Sequence, residues 1–343
     1  MTRRLLIALI AALAAQGQEL AVRLDSLAAN RPGFMGAVLV ARDGKPILMR
    51  GYGKANLEWD IPNTPKTKFR LGSVSKQFTA AAILVLEQQG KLRVEDPISK
   101  HLADTPPAWQ NITIHQLLTH TSGIPNFTAQ PFYQTDMTLP APRRTFFGVK
   151  GIPLRFDPGT KWEYSNSGYG LLGLIVESVS GMRYAEFLRK HVFDPLGMND
   201  SGEEPLVDLL PHRAAGYSRL NDQYRNATYV HMSWPLGAGS LYSTLEDLLK
   251  WDRALDTAVL LSEESRRKMF TPVLSDYGYG WGVREAGGRR IQSHSGGING
   301  FSTHLARYPG DRTLIVVLSN VENAQAGRVA ADLARIVFEA PER

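Results

Sequence analysis

Ser73-Val74-Ser75-Lys76 places a hydroxyl and an amine three residues apart, just ahead of a run of apolar residues. A serine hydroxyl is a weak nucleophile near neutral pH and needs a base within hydrogen-bond reach. Residues i and i+3 share one face of a helix, so the Lys76 amine falls beside the Ser73 oxygen. A helix N-terminus favours an alkoxide and disfavours a second cation. A partly buried lysine there gives up its proton more readily, and a neutral lysine is a base. The same pair also fits a helix-capping serine and a lysine reaching to solvent.

Two further clusters carry chemistry-bearing groups. In Trp162-Glu163-Tyr164-Ser165-Asn166, Tyr164 and Asn166 fall in a non-helical link between the Asp157-Pro158-Gly159 turn and a following helix. A tyrosine passes protons if a nearby cation lowers its pKa. An Asn amide bonds a carbonyl and an amine at once. A core tyrosine with a helix-capping Asn is the alternative. His294-Ser295-Gly296-Gly297 follows the strand-like Arg290–Ser293. Its glycines let a ligand lie along a strand edge, where the Gly297 N–H and the Ser73 N–H could form an oxyanion hole. A purely structural histidine fits as well.

Each short motif recurs. Ser265-x-x-Lys268 lies in a charged helix-like run, and Tyr224-Arg225-Asn226 lies in a polar loop with no helix behind it. Position along the chain separates the copies. Phe78–Leu86 is apolar nearly all round and reads as a buried helix behind Ser73.

Around these groups the pattern is strands, then helices, then strands. Ala37–Ala41 and Pro46–Arg50, joined through Asp43-Gly44, read as a hairpin. From about Gly72 to Asn199 the reading is mostly helical. Asp96 is placed as an N-cap before Pro97, with short helices at Thr113–Leu118, Ser167–Ser180 and Tyr184–His191. Ser201–Pro235 reads as loop, and Ser243–Asp247 opens another helix. Strands return at Gly280–Val283, Arg290–Ser293, Thr303–Arg307 and Leu314–Ser319, followed by a helix over Ala324–Ala340. The fold class is α+β (α/β): one antiparallel sheet from both chain ends, flanked by terminal helices including Glu19–Ala29, with a mostly helical part inserted. The sheet part covers about 17–70 and 236–343, and the helical part about 71–235.

The chain has 343 residues, 43% hydrophobic and 21% charged, with net charge +6 and no cysteine. This is ordinary globular composition. The basic balance shows no basic block, which argues against nucleic acid. Residues 1–16 read as a signal peptide: Arg3 and Arg4, then apolar Leu5–Ala15, then small residues Ala12 and Ala14 for cleavage. An uncleaved anchor is the alternative. No later segment is apolar enough to span a bilayer. The expected location is periplasmic or secreted, and the expected partner is a small-molecule or peptide substrate. The eight histidines are scattered, with no His-Glu-x-x-His, so neither a metal nor another cofactor is expected. Gly-x-Ser-x-Gly, the mark of an α/β-hydrolase, is absent.

The chain resembles the serine β-lactamase and penicillin-binding-protein superfamily, in particular class C-like β-lactamases and family VIII carboxylesterases. The resemblance rests on Phe69–Lys76, Ile112–Ile124, Pro158–Asn166 and His294–Gly297, in the family's order and spacing, and runs from about Gly36 to Asn320. Ser-x-x-Lys is a known mark of these enzymes. The resemblance implies a β-lactamase/transpeptidase-like domain over 17–343 and an acyl-enzyme. In it Ser73 is the nucleophile, Lys76 its base and Tyr164 the proton relay. Asn166, His294, Ser295 and Gly296 line the substrate, and the Ser73 and Gly297 N–H groups form the oxyanion hole. Glu203-Glu204-Pro205 does not look like the deacylating element of class A enzymes. One departure is chemical: penicillin-recognising members commonly carry Lys-Thr-Gly where this chain has His294-Ser295-Gly296. A histidine is largely neutral near pH 7 unless a neighbour raises its pKa, so affinity for anionic β-lactams is expected to be reduced, which favours neutral esters or amides. Class C-like β-lactamase and D-alanyl-D-alanine-type peptidase remain the alternatives, with a non-catalytic binding or scaffold relative behind them. Phe127, Phe132, Tyr133, Phe146 and Phe147 either line an apolar acyl site or only pack their loop.

Overall fold

A computed structural model describes residues 17–141 and 148–339; the signal segment, Phe146, Phe147 and Ala340 lie outside them. The chain enters through helix α1 (residues 17–29). Strands β1 (Gly36–Arg42) and β2 (Lys45–Tyr52) follow as a hairpin. Its two turn residues, Asp43 and Gly44, both have positive φ (54° and 67°), the twist that a two-residue hairpin turn requires. The last third supplies β3 (Gly282–Ala286), β4 (Arg289–Ile298), β5 (Phe301–Tyr308) and β6 (Thr313–Ser319). All six join one antiparallel sheet, in the order β3-β4-β5-β6-β1-β2. First and last strands meet directly, Val38 opposite Val317 and Leu39 opposite Val316.

The central strands are buried on both faces, which explains their unbroken apolar runs. Val38, Val40, Ile315 and Val317 pack under α1 and the closing helix α5 (Ala326–Glu339), against Leu24, Val329 and Leu333. Ala37, Leu39, Val316 and Leu318 face the opposite way, into a larger core shared with the helical part. At the centre of that core is α2 (Lys76–Gln88), buried from Lys76 to Leu86. Packed against it are α3 (Asn166–Ser180) and α4 (Leu245–Leu255).

The structure departs from the sequence expectations in four places. β4 does not stop at Ser293 but runs on through His294–Gly297 to Ile298. Glycines erase the alternating pattern that marks a strand, while pairing with β5 keeps the backbone extended. Residues 201–235 are not all loop. Tyr217–Leu220 and Gln223–Asn226 form a hairpin around Asn221 and Asp222, both of positive φ. Gly202–Glu203 pairs with Leu241–Ser243, which pairs with Phe69–Arg70. Asp96 caps no helix: Pro97 is followed only by a three-residue 3-10 turn, and the Asp96 carboxylate bonds Arg93 N–H, Lys100 and His101. Asn166 is the first residue of α3, not part of the link before it.

Candidate active site

Ser73 sits in a 3-10 turn, Gly72–Ser75, that runs into α2 with no side-chain cap. The capping reading of the serine therefore falls away. The turn exists because Gly72 takes a left-handed φ of +52°, a conformation glycine adopts without steric cost. A Cβ there would sit 3.0 Å from Gly297 N. Gly296 makes the second close approach: its Cβ would lie 2.0 Å from Leu71 O and 2.3 Å from Thr303 Oγ1. Two glycines thus let β4 press against the serine turn, bringing the Ser73 and Gly297 backbones to one cleft. Gly72→Ala is expected to lower kcat/KM about tenfold or more, because both the left-handed turn and the Gly297 N–H expected to serve the oxyanion would shift. Steady-state kinetics on the purified variant checks this.

Lys76 is fully buried, so the snorkelling reading falls away too. Its Nζ lies 3.2 Å from Ser73 Oγ, 2.8 Å from Asn166 Oδ1 and 2.8 Å from Ala238 O. The two shorter contacts go to oxygens that only accept. A neutral amine has two protons for those two oxygens and one lone pair, which then faces the serine. Burial supports that state, holding the Lys76 pKa well below its ordinary value.

Asn166 is itself held. Its amide Nδ2 donates to Thr128 Oγ1 at 3.3 Å, and its backbone N–H donates to Asn126 Oδ1 at 3.1 Å. Neither Asn126 nor Thr128 stands out in the sequence, since both lie in an unpatterned loop.

Tyr164 is hydrogen-bonded to Ser73. Its ring lies 4.8 Å from Lys76 Nζ and 4.4 Å from the His120 ring. The expected lowering of its pKa by a cation does not occur. Burial dominates and pushes the phenol up, against the smaller effect of the Ser73 bond, so at neutral pH the hydroxyl keeps its proton. His120 enters the sequence reading only as part of the Ile112–Ile124 stretch, with no role of its own. In the fold it is buried at a left-handed φ of +59°, and its Nδ1 accepts the Ser165 N–H at 3.2 Å. It is the wall behind Tyr164.

His294 points into the same cleft, its ring 6.2 Å from that of Tyr164. Burial, then the nearby Lys76, pushes its pKa down to about 3, so it is neutral near pH 7, as the sequence suggested. Ser295 does not join the group. Successive strand residues face opposite ways, and its hydroxyl meets His304 Nδ1 at 2.8 Å on the far face of the sheet. Glu204 is also remote in role. Arg70 grips both its oxygens at 2.7 Å, and Arg213 adds a third bond at 2.7 Å, which leaves no free carboxylate to activate water. Ser265 and Tyr224 lie elsewhere, in the short helix Glu263–Met269 and the Gln223–Asn226 strand. Among the described residues no helix is long and apolar enough to cross a membrane.

Ser73 and Lys76 thus meet Tyr164 and Asn166 from two separate chain segments, an arrangement that suits acyl transfer. The profile of the Beta-lactamase family matches residues 10–338. A penicillin-binding protein of Bacillus subtilis (strain 168) is 34% identical over 311 residues, spanning 84% of this chain and 68% of the relative. A D-aminopeptidase of Gluconobacter oxydans (strain 621H) is 29% identical over 91% of this chain, which covers 60% of that protein. The crystal structure of a penicillin-binding protein from Bacillus halodurans superposes with a TM-score of 0.78 at 32% identity, over 89% of this chain and 95% of that one. A match along nearly the whole chain, on the fold just described, makes this protein a member of the Beta-lactamase family and a serine hydrolase.

Proposed function

We propose that the protein hydrolyses uncharged carboxylic esters or amides through an acyl-enzyme on Ser73, with esters favoured. The observation that carries this reading is the desolvated Lys76 amine, anchored on two acceptor oxygens and aimed at Ser73. The Ser73 Oγ–H proton moves to Lys76 Nζ as Oγ attacks the carbonyl carbon. The oxyanion that forms faces the N–H groups of Ser73 and Gly297. When the tetrahedral centre collapses, the leaving alkoxide or amine takes a proton through the Tyr164 hydroxyl. Water then enters, gives a proton back along Tyr164 and Lys76, and frees Ser73 and the acid. Asn166 holds Lys76 and offers its amide to the substrate.

The neutral His294 sets the preference. A carboxylated β-lactam finds no cation where Lys-Thr-Gly members carry one, whereas an uncharged acyl group loses nothing there. The name of the Gluconobacter relative, a D-aminopeptidase, supports keeping amide bonds beside esters in the substrate set.

The test combines labelling with turnover. A fluorophosphonate is expected to modify one site, found by mass spectrometry on the peptide bearing Ser73. In parallel, p-nitrophenyl butyrate is expected to exceed nitrocefin in kcat/KM by about 100-fold or more, from a missing charge-assisted pair of about 3 kcal/mol. Label on another residue, Ser265 included, would refute the site. Equal rates on the two substrates would refute the preference.

A further inference from the structure

His294 is gripped at both ring nitrogens. Its Nδ1 lies 2.6 Å from the carbonyl oxygen of Ser295, and its Nε2 lies 2.9 Å from the Tyr277 hydroxyl. A carbonyl only accepts, so Nδ1 carries the proton, and Nε2 then accepts the Tyr277 O–H. Tyr277 is buried and clamped on other sides: its ring lies 4.7 Å from His120 and 6.0 Å from Trp162. Its hydroxyl also meets that of Tyr169, which donates to Leu118 O at 2.7 Å.

We propose that Tyr277 is a specificity-positioning residue that fixes His294 as one neutral tautomer, so that the ring offers the substrate neither a donor nor a charge. This rests on the reading of Ser73 as nucleophile, and it adds what occupies the ring nitrogen that would otherwise be open to a substrate or a proton. Without the Tyr277 hydroxyl, Nε2 is a free lone pair beside the cleft, open to a proton or a substrate donor. The chain of contacts shows how much depends on this one O–H. It ends in a carbonyl on each side, Ser295 O and Leu118 O, with His294, Tyr277 and Tyr169 between them. That makes four contacts for the three protons of a neutral ring and two phenols. An imidazolium would supply the fourth proton. What opposes it first is burial, within a wall of Tyr164 and Tyr277 rings with His120 packed on both tyrosines; a proton on Lys76 of α2 or, more weakly, on His304 across the sheet would add repulsion. Burial outweighs the added hydrogen bond, and the neutral ring wins.

The experiment compares p-nitrophenyl butyrate with mono-p-nitrophenyl glutarate, which differs mainly by a terminal carboxylate, in wild type and Tyr277→Phe. Between about pH 6 and pH 8, where an ordinary histidine titrates, the wild-type ratio of kcat/KM values is expected to be flat. In Tyr277→Phe it is expected to move about twofold or more toward the carboxylated ester at the acid end of that window, because the freed Nε2 has lost the donor that favoured its neutral form and takes up a proton more readily than in wild type. A ratio as flat in the variant as in wild type overturns the proposal, whatever the absolute rates. Nitrogen-15 NMR of wild-type His294 is independent of how the variant folds: it is expected to show protonated Nδ1 and bare Nε2 across the same range. An Nε2–H tautomer, or a titration there, also overturns it. Failure of either arm leaves the fluorophosphonate label on Ser73 untouched, so the two readings fail separately.

Discussion

Replacing Lys76 with methionine is expected to lower kcat/KM for p-nitrophenyl butyrate by about 10⁴-fold or more, since removing one member of a nucleophile–base pair removes nearly all that the pair supplies. The pH profile is the sharper readout. Catalysis needs the neutral amine, so wild-type activity rises with pH through the depressed Lys76 pKa. Methionine has no proton to lose, so the residual activity of the variant is expected to lack that rising limb. Stability carries the same signature. The folded pKa lies below the unfolded value, so between the two the unfolded chain binds more protons and stability rises with pH. Burying this lysine is therefore a cost that is full below the folded pKa and fades toward the unfolded one. Denaturant titrations at several pH values are expected to show that slope in wild type and a flatter one in Lys76→Met. A variant retaining more than about a tenth of wild-type activity would remove Lys76 from the chemistry.

Tyr164→Phe is the second large effect. It deletes one oxygen and keeps the ring, so contact with His120 and Lys76 Nζ survives. What goes is the hydrogen bond to Ser73 and, in the proposed mechanism, the relay that serves leaving group and water. General acid–base groups of this kind contribute about 10²–10⁴-fold, and kcat is expected to fall within that range. Unfolding free energy is expected to change by about 1 kcal/mol, the worth of one hydrogen bond. Pre-steady-state kinetics with p-nitrophenyl butyrate separates the two halves of the cycle. Because the phenol keeps its proton at neutral pH, both acylation and deacylation are expected to slow. A fall of less than about tenfold would make Tyr164 a wall of the cleft rather than a relay.

Much of this site was legible because its groups lie beside strong local signals. Ser73 and Lys76 precede a helix too apolar to face water, and Asn166 stands next to the helix expected from Ser167, after a Pro-Gly turn. The sheet was legible for a similar reason: Val38–Val40 and Ile315–Val317 are buried on both faces and read as continuous apolar runs. What stayed hidden depends on tertiary contact. Asn126 and Thr128 matter only because α3 starts beside them. Tyr277 sits in a stretch without periodicity, and its hydroxyl acquires meaning only against His294. The continuation of β4 through Ser295-Gly296-Gly297 was lost because glycines carry no face. That lost strand also misled the reading of Ser295, since an extended backbone sends neighbouring side chains to opposite sides.

The sheet's two-faced burial has a practical consequence. α1 and α5 cover one face, and Arg31, just past the end of α1, pairs with Asp332 of α5 at 2.6 Å. Ser295 and His304 lie on that same side, where a Cβ at Gly327 in α5 would come 3.5 Å from Ser295 Oγ. Ser73, Lys76 and Tyr164 open on the other. A surface attachment or fused partner joined through exposed positions of either terminal helix would hang from the back of the molecule, leaving the mouth of the cleft turned outward. An immobilised preparation oriented this way keeps its substrate path clear by geometry alone.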